Sequence, residues 1–183
     1  MKKMTLAIAL TCMAALAFSQ VSFNTVWEFS KAKNNLPAYI GAASECRSMA
    51  VGNVDGKDVV IVATRVGGAN MIWLDPVTGK EEGQLNMKDV AGGHPSFPIN
   101  TVEISADGMI LGANLAAVAG QQFKIYAWNK LDAVPTVLLD YKAVAKERFG
   151  DSFIVLGSVK DGSAKLYAVN SDKTNPLVMV LPM

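Results

Sequence analysis

The chain has 183 residues, of which 51% are hydrophobic and 18% charged, with 17 basic and 16 acidic side chains. This near balance leaves no basic surplus for nucleic acid or an anionic membrane surface, so we expect neither as a partner. A chain of this length and apolar content can bury a core without disulfide bonds.

The first element in chain order is an export signal. Two lysines precede an apolar run from Met4 to Phe18, and small residues follow at the cleavage positions, which is the layout of a secretory signal peptide. The run of about 15 residues is short for a membrane span, which needs about 20. We therefore predict a signal peptide at 1–19 and a mature chain at 20–183. The mature chain would be secreted, periplasmic or at the cell surface.

Nine apolar segments follow, each bounded by Gly, Asp, Asn or Pro. Short strands separated by turn residues are typical of an all-β domain, and no long stretch of period 3.6 follows the signal. The predicted strands are Ser48–Val54, Asp58–Arg65, Asn70–Asp75, Thr101–Ser105, Met109–Asn114, Phe123–Asn129, Pro135–Leu139, Ser152–Val159 and Ala164–Asn170.

These strands recur in a repeat. Asp-Gly pairs stand at 55–56, 107–108 and 161–162, at intervals of 52 and 54 residues, and Trp73 and Trp128 occupy equivalent places. Four strands in about 50 residues are the signature of a β-propeller blade. We predict an all-β, β-propeller-like domain of about two and a half four-stranded blades. A β-sandwich is the second choice, although its strands would alternate more cleanly between apolar and polar residues.

The repeat is incomplete at both ends. The stretch VWEF at 26–29 looks like an outermost strand that would complete the last blade of a ring, and the chain ends on the apolar stretch NPLVMVLPM. Propellers close with about 4–8 blades. We therefore expect a piece of a longer propeller or a truncated gene product, with self-association to close the ring as the alternative.

Several short strings between residues 36 and 170 stand in a distinctive order. They are LPAYIG (36–41), CRSMAVGN (46–53), GQLNM (83–87), GG (92–93), INTVEISADGMILGANL (99–115), FKIYAW (123–128), PTV (135–137) and RFGDSF (148–153). In this order and spacing they resemble secreted bacterial β-propeller proteins that are classified only as a domain of unknown function. The resemblance implies an exported propeller without an established activity. Full members are much longer, which again implies a truncated chain.

The turn after the third strand resembles quinoprotein-type repeats, in which a strand ends in Leu-Asp-x-x-Thr-Gly-Lys. Residues 72–80, IWLDPVTGK, fit that turn, but Gly83 stands where those repeats usually place a docking tryptophan. No adjacent pair of cysteines is present either, so the resemblance does not support a quinone and we expect no cofactor. Pro76 and Gly79 explain the turn as structural, because proline sets φ and glycine tolerates a positive φ.

Asn53, Asp55 and Asp58 are the nearest approach to a metal site. They stand in NVDGKD, which resembles the short acidic loops of calcium-binding integrin-type repeats. Calcium takes about 6–8 oxygen ligands, whereas this loop offers three side chains. An ordinary β-turn is therefore the favoured interpretation, with calcium as the weaker alternative.

The single histidine of the sequence, His94, stands in the loop GGHPSFP between two predicted blades. In a propeller this loop shares one face with the loops between second and third strands, and loops on a rigid scaffold are where ligands bind. We expect that face to bind a glycan or a protein. The candidate ligand-binding residues are Arg65, Asn70, His94, Gln121, Gln122 and Arg148.

No set of residues points to catalysis. One histidine without a nearby serine or cysteine makes neither a hydrolytic triad nor a metal centre. Glycoside hydrolysis needs two carboxyl groups about 5–10 Å apart, and Glu81 and Glu82 are neighbours that point to opposite sides of a strand. We therefore predict a non-catalytic module for binding or scaffolding. The alternative is the N-terminal part of a propeller hydrolase or lyase that acts on polysaccharide.

Overall fold

The computed structural model describes residues 24–41, 44–144, 147–171 and 178–182, so the predicted signal peptide at 1–19 lies outside the described residues. Within these residues the regular structure is one 3₁₀ turn and eleven strands, and the prediction of an all-β chain is confirmed. No helix in this part of the chain is long and apolar enough to cross a membrane. The elements are the 3₁₀ turn Ala38–Ile40 and strands β1 (Cys46–Val54), β2 (Lys57–Thr64), β3 (Asn70–Leu74), β4 (Glu81–Gln84), β5 (Thr101–Ile104), β6 (Ile110–Ala113), β7 (Gln122–Trp128), β8 (Thr136–Lys142), β9 (Phe153–Leu156), β10 (Lys165–Val169) and β11 (Val178–Pro182).

The strands form three antiparallel sheets in which neighbours along the chain are also neighbours in space. Sheet 1 contains β1 to β4, sheet 2 contains β5 to β8, and sheet 3 contains β9 to β11. All nine predicted strands are present, and the strand expected after the DPVTG turn is β4. Each turn reverses the chain onto the strand just completed, as short connections between antiparallel strands require.

The turn between β1 and β2 shows why an Asp-Gly pair stands there. Asp55 and Gly56 both have positive φ, at 52° and 82°, as a two-residue hairpin of type I′ requires. In the second Asp-Gly turn, Gly108 has a φ of 80°. That turn is longer, because the Ser105 backbone N–H donates to the Met109 carbonyl at 2.9 Å. The same dipeptide therefore reverses the chain in two different ways.

The core consists of apolar layers on both sides of sheet 2. Val59, Ile61 and Ala63 of β2 are buried against sheet 2, whereas Val60 and Val62 are buried on the opposite face of sheet 1. The unbroken apolar run of β2 follows from this, since successive side chains point to opposite faces and both faces are covered. The layer between sheets 2 and 3 includes Leu111, Phe123, Ile125, Phe149, Phe153 and Leu166.

The outer face of sheet 1 is covered in part by the segment at 24–41, and the prediction of a strand at 26–29 is wrong. Trp27 fixes this segment instead, because its indole N–H donates to the Pro76 carbonyl at 2.9 Å. The ring also lies against Gly79, where an added Cβ would stand 2.5 Å from a ring carbon. Phe29 and Tyr39 pack with Trp27 on the same face. The segment is therefore held by packing of Trp27 on the turn between β3 and β4, and not by backbone pairing with a neighbouring strand.

Turns and loops lie at two opposite ends of the sheets. We call the end with the loops at 65–69, 85–100, 114–121 and 147–152 the upper edge, and the end with the three Asp-Gly turns the lower edge. The first strands of the three sheets, β1, β5 and β9, lie side by side. This order brings the upper loops of neighbouring sheets next to one another.

At the lower edge, Asp107 connects sheet 2 to sheet 3. Its carboxylate accepts hydrogen bonds from the backbone N–H groups of Val159 at 3.1 Å and Lys160 at 2.8 Å, and from the Ser105 hydroxyl at 2.5 Å. Burial by itself would raise the pKa of Asp107, but these hydrogen bonds lower it to about 2. The ionised carboxylate is therefore part of the contact between the two sheets.

Candidate functional site

The strand register places all six predicted ligand-binding residues at the upper edge. Thr64, the last residue of β2, pairs with Asn70, the first residue of β3, so Arg65 and Asn70 flank the loop between these strands. Gln122 begins β7 at the same end of sheet 2. The remaining three predicted residues stand in or beside the upper loops and are His94, Gln121 and Arg148.

Arg65, Phe97 and His94 form a stack at this edge. The Arg65 guanidinium carbon lies 4.0 Å from the centroid of the Phe97 ring. The His94 and Phe97 ring centroids are 4.5 Å apart, with the rings inclined by 53°. A guanidinium on an aromatic face is attracted by the ring quadrupole. The sequence predicts Arg65 and His94 as ligand-binding residues but not Phe97. Nothing in the sequence distinguishes Phe97 from other apolar loop residues, because only the structure shows that it packs against Arg65.

Backbone hydrogen bonds hold the His94 loop in place. The His94 backbone N–H donates to the Leu115 carbonyl at 2.8 Å, and the Leu115 N–H donates to the Phe97 carbonyl at 3.0 Å. The Nδ1 atom of His94 accepts from the Ser96 backbone N–H at 3.2 Å. Gly93 has a φ of 68° and lies so close to Asn114 that no side chain fits there. His94 therefore orders its own loop and positions Phe97 under Arg65.

An open cavity of about 430 Å³ lies beside the stack. Its volume falls within the range of about 300–1,000 Å³ that is usual for small-molecule sites. Of the described residues that line it, Glu45 is the only carboxylate and Arg65 the only cation. Its walls come from the segment before β1, the loop after β2 and the loop before β5. The lining residues are Glu45, Arg65, Gly68, Ala69, Pro95, Ser96 and Pro98.

The charge of Arg65 is poorly compensated. Its Nε atom is buried and has no hydrogen-bond partner among the described residues. Burial lowers the pKa of Arg65, the positive charge of nearby Arg47 lowers it further, and Glu45 acts in the opposite direction. Burial and a like charge both disfavour the ionised form. A guanidinium stays charged in proteins all the same, so the cavity is positively charged at this wall.

Arg47 connects the first strands of the three sheets at the upper edge. Its Nε–H donates to the Asn100 side-chain oxygen at 3.0 Å. The amide of Asn100 in turn donates to the Gly150 carbonyl at 2.7 Å, and Asn100 is 1% exposed. Neither Arg47 nor Asn100 is predicted as a site residue. Arg47 stands at the start of β1 and Asn100 directly before β5, 53 residues apart, and these corresponding positions in two repeats are a signal by which the sequence could have identified them.

Asn70 and Gln121 close their own loops instead of lining the cavity. The Asn70 amide donates to the Val66 carbonyl at 2.9 Å. The Gln121 side-chain oxygen accepts from the Ala117 backbone N–H at 2.7 Å. Both side chains therefore stabilise loops at the upper edge, and Asn70 does so next to the cavity wall at Gly68.

Gln122 and Arg148 also have partners away from the cavity. The exposed Gln122 amide donates to the Asp140 carboxylate at 3.3 Å. Arg148 makes two hydrogen bonds to Asp151, at 2.5 and 2.7 Å, and the bond to Asp151 raises the pKa of Arg148. The charge of Arg148 is thus neutralised by a local carboxylate, in contrast to that of Arg65.

The loop considered for calcium forms a hydrogen-bonded turn. The Asn53 side-chain oxygen accepts from the Gly56 backbone N–H at 3.0 Å, and its amide nitrogen donates to Asp58 at 2.8 Å. Asp55 occupies the first of the two positive-φ positions of that turn. Within the described residues, no group of three or more His, Cys, Asp or Glu side chains could hold a metal ion. The side-chain oxygen of Asn53 is therefore occupied by the turn itself.

Comparisons with known proteins bear on the fold. A scan against protein-family models and a search of the curated proteins found no match. Among solved structures, the chain is similar to the crystal structure of a DUF4623 family protein, a domain of unknown function, from Bacteroides eggerthii, with a TM-score of 0.51 and 20% sequence identity. The similarity covers 81% of this chain and 38% of that one, so the chain spans well under half the length of this neighbour.

Proposed function

We propose that this chain is a secreted, non-catalytic β-propeller module that binds a glycan or a protein ligand at the cavity beside Arg65. The observation that carries the proposal is the poorly compensated Arg65 guanidinium, held on Phe97 at 4.0 Å in the wall of an open cavity. A rigid sheet scaffold supports the loops that form this wall, which is the usual arrangement of a binding site.

The order of the sheets supports a propeller. Each sheet is a meander of consecutive antiparallel strands, and the first strands β1, β5 and β9 are neighbours. In a propeller, the first strand of each blade lies nearest the central channel and the blades pack face to face. The chain also shares its fold with part of a longer solved structure, at a TM-score of 0.51.

Exposed apolar residues support a ring with further blades. On the outer face of sheet 3, Ile154, Leu156 and Val169 are 49%, 57% and 57% exposed. On β1 of sheet 1, Met49 and Val51 are 62% and 66% exposed. A neighbouring blade would bury these apolar side chains. When they face water instead, they form a surface on which another protein element tends to pack. We infer that further blades of a longer protein occupy them.

Light scattering coupled to size-exclusion chromatography tests this part of the proposal on residues 20–183. A monomer that binds ligand would show that three sheets suffice for the site. A defined dimer or trimer that loses its association in an Ile154→Lys variant would mean that copies of the chain close the ring, and would overturn the inference of further blades.

The groups that line the cavity are suited to binding. Arg65 offers hydrogen-bond donors and Glu45 offers acceptors, on opposite charges, in one open cavity. Export is part of the same proposal and rests on the first 19 residues of the sequence. Intact-mass measurement of the protein from the periplasm or medium should give a chain that begins at Gln20.

A ligand screen tests the binding proposal directly. Residues 20–183 are applied to arrays of glycans and of cell-surface proteins, alongside a Ser96→Trp variant that fills the cavity from its exposed rim. The matched control is Gln122→Ala, a change at the same edge but away from the cavity. We expect binding by the wild type and the control and none by Ser96→Trp. Equal binding by all three proteins would refute the cavity as the site.

A further inference from the structure

The feature that points to a ligand class is a pair of arginines, Arg65 in the wall of the cavity and Arg47 nearby. None of the six ion pairs among the described residues includes Arg47 or Arg65. Arg148, at the same edge, is paired with Asp151 at 2.5 Å. Glu45 offsets the charge of Arg65 in part, but two neighbouring positive charges stand against this one carboxylate, and the excess positive charge favours the binding of an anion.

The geometry of Arg65 favours a planar anion. One face of its guanidinium is covered by the Phe97 ring, and the Nε atom is buried without a partner. The terminal N–H groups are therefore the donors that Arg65 can offer to a ligand in the cavity that it lines. A fixed pair of such donors matches the two oxygens of a carboxylate.

Glu45 restricts the ligand further. Its carboxylate lies against Gly41, so closely that a side chain at residue 41 would collide with it. A carboxylate has about four lone-pair sites and can accept hydrogen bonds from ligand hydroxyls in addition to its existing contacts. A ligand with negative charge alone would be repelled by Glu45, whereas a ligand with both a carboxylate and hydroxyl groups suits the pair. Pro95 and Pro98 add apolar wall for the C–H face of a sugar ring.

We propose that the cavity is a subsite for a uronic acid residue of an acidic polysaccharide, with Arg65 binding the sugar carboxylate and Glu45 accepting from the sugar hydroxyls. Arg47 adds to the positive field at Arg65, while its own Nε–H is bonded to Asn100. The inference rests on the proposed binding function and names the ligand class of that site. It favours an acidic glycan over an acidic peptide, because a peptide carboxylate brings no hydroxyl groups for Glu45.

Calorimetric titration with three probes tests the ligand class. The probes are a trigalacturonate, the same trisaccharide with its carboxyl groups reduced to alcohols, and a hexaglutamate peptide. We expect the trigalacturonate to bind, and the reduced sugar and the peptide to bind at least roughly tenfold more weakly, as loss of a charge-assisted hydrogen bond implies. Binding should weaken between about 0.1 M and about 1 M salt, where the Debye length falls from about 10 Å to about 3 Å.

Two substitutions of Arg65 and one control assign the effect to this residue. Arg65→Met keeps an apolar side chain on Phe97 but removes the charge, and should raise the Kd for trigalacturonate roughly 10–100-fold. Arg65→Lys keeps the charge without the planar fork and should give an intermediate loss. Arg148→Met removes an arginine that is already paired with Asp151 and should leave the Kd unchanged.

The outcomes separate this inference from the binding function beneath it. Equal affinity for the reduced and acidic trisaccharides, with no effect of Arg65→Met, would overturn the uronate subsite but leave a glycan-binding cavity. Binding of the peptide alone would overturn it in favour of a protein ligand. If no array ligand binds, or if Ser96→Trp binds as tightly as the wild type, the binding function of this cavity itself fails. The comparison of the three probes uses the wild-type chain, so it stands even if an Arg65 variant folds poorly.

Discussion

Replacing Asp107 by asparagine should loosen the contact between sheets 2 and 3. The pKa of Asp107 lies at about 2, against 3.8 for an ordinary aspartate. A shift of somewhat under two units corresponds to at most about 2 kcal/mol of stability, since one unit is worth about 1.4 kcal/mol and water screens this partly exposed carboxylate. Asparagine also turns an N–H group toward the backbone donors of Val159 or Lys160, which leaves one of them without an acceptor. We expect Asp107→Asn to cost about 1–2 kcal/mol at pH 7.

The pH dependence gives the sharper test. Because the folded-state pKa is depressed, the contribution of Asp107 is fully present above its unfolded pKa of about 4 and is lost as the pH falls through about 2. Urea unfolding of wild type and Asp107→Asn at intervals from pH 7 to pH 2 measures this. The difference in unfolding free energy should shrink steadily below pH 4. A difference that stays constant down to pH 2 would refute the electrostatic origin.

Asp161→Asn is the matched control for this experiment. Asp161 occupies the corresponding Asp-Gly turn of sheet 3, and hydrogen bonds from Ser163 lower its pKa. Its carboxylate accepts from the Ser163 backbone N–H at 2.8 Å, within its own turn. The side chain is exposed and its bond is local, so the change in stability should be smaller than that of Asp107→Asn. An equal or larger effect would mean that the turn, and not the contact between sheets, determines the stability.

Two further predictions concern sheet 1. Gly79→Ala should destabilise the fold by about 1–3 kcal/mol, because φ is 70° and the new Cβ would collide with the Trp27 ring. Gly56→Ala is the control and should cost less in the same urea assay, because its φ is 82° but the space around it is open. Equal losses would exclude a role for Trp27. The thiol of Cys46 donates to the Tyr39 carbonyl at 3.8 Å, and burial raises its pKa. We therefore expect the folded chain to react with a thiol reagent at pH 8 more slowly than the urea-unfolded chain does; equal rates would contradict this burial.

Local sequence features predict most of the sheets but not the segment that covers sheet 1. The strands β2 and β7 follow from apolar runs bounded by turn residues, and both are present with similar bounds. VWEF has the composition of a strand, yet Trp27 binds the Pro76 carbonyl and packs on Gly79. Strand propensity describes how well a segment fits a sheet, and a competing tertiary contact can override it.

At the candidate site, too, the sequence predicts where residues lie but not which contacts they make. Repeat order alone places Arg65 and His94 at one edge. In sheets of four consecutive antiparallel strands, the second-to-third-strand loops and the loops to the next sheet lie at the same end. Repeat order also selects Gln121, Gln122 and Arg148, which lie at that edge. Their side chains form hydrogen bonds with residues outside the cavity lining. Sequence position fixes the edge at which a side chain lies, but not whether a local partner already occupies it.

The sequence by itself determined an all-β chain of consecutive hairpins, because apolar runs and turn residues act over a few neighbouring positions. Only the tertiary structure decided that Phe97 supports Arg65, that Glu45 faces the same cavity and that Asp107 joins two sheets. These contacts link residues about 20 to 53 positions apart. They depend on how the sheets stack, which turn and strand signals along the chain do not specify.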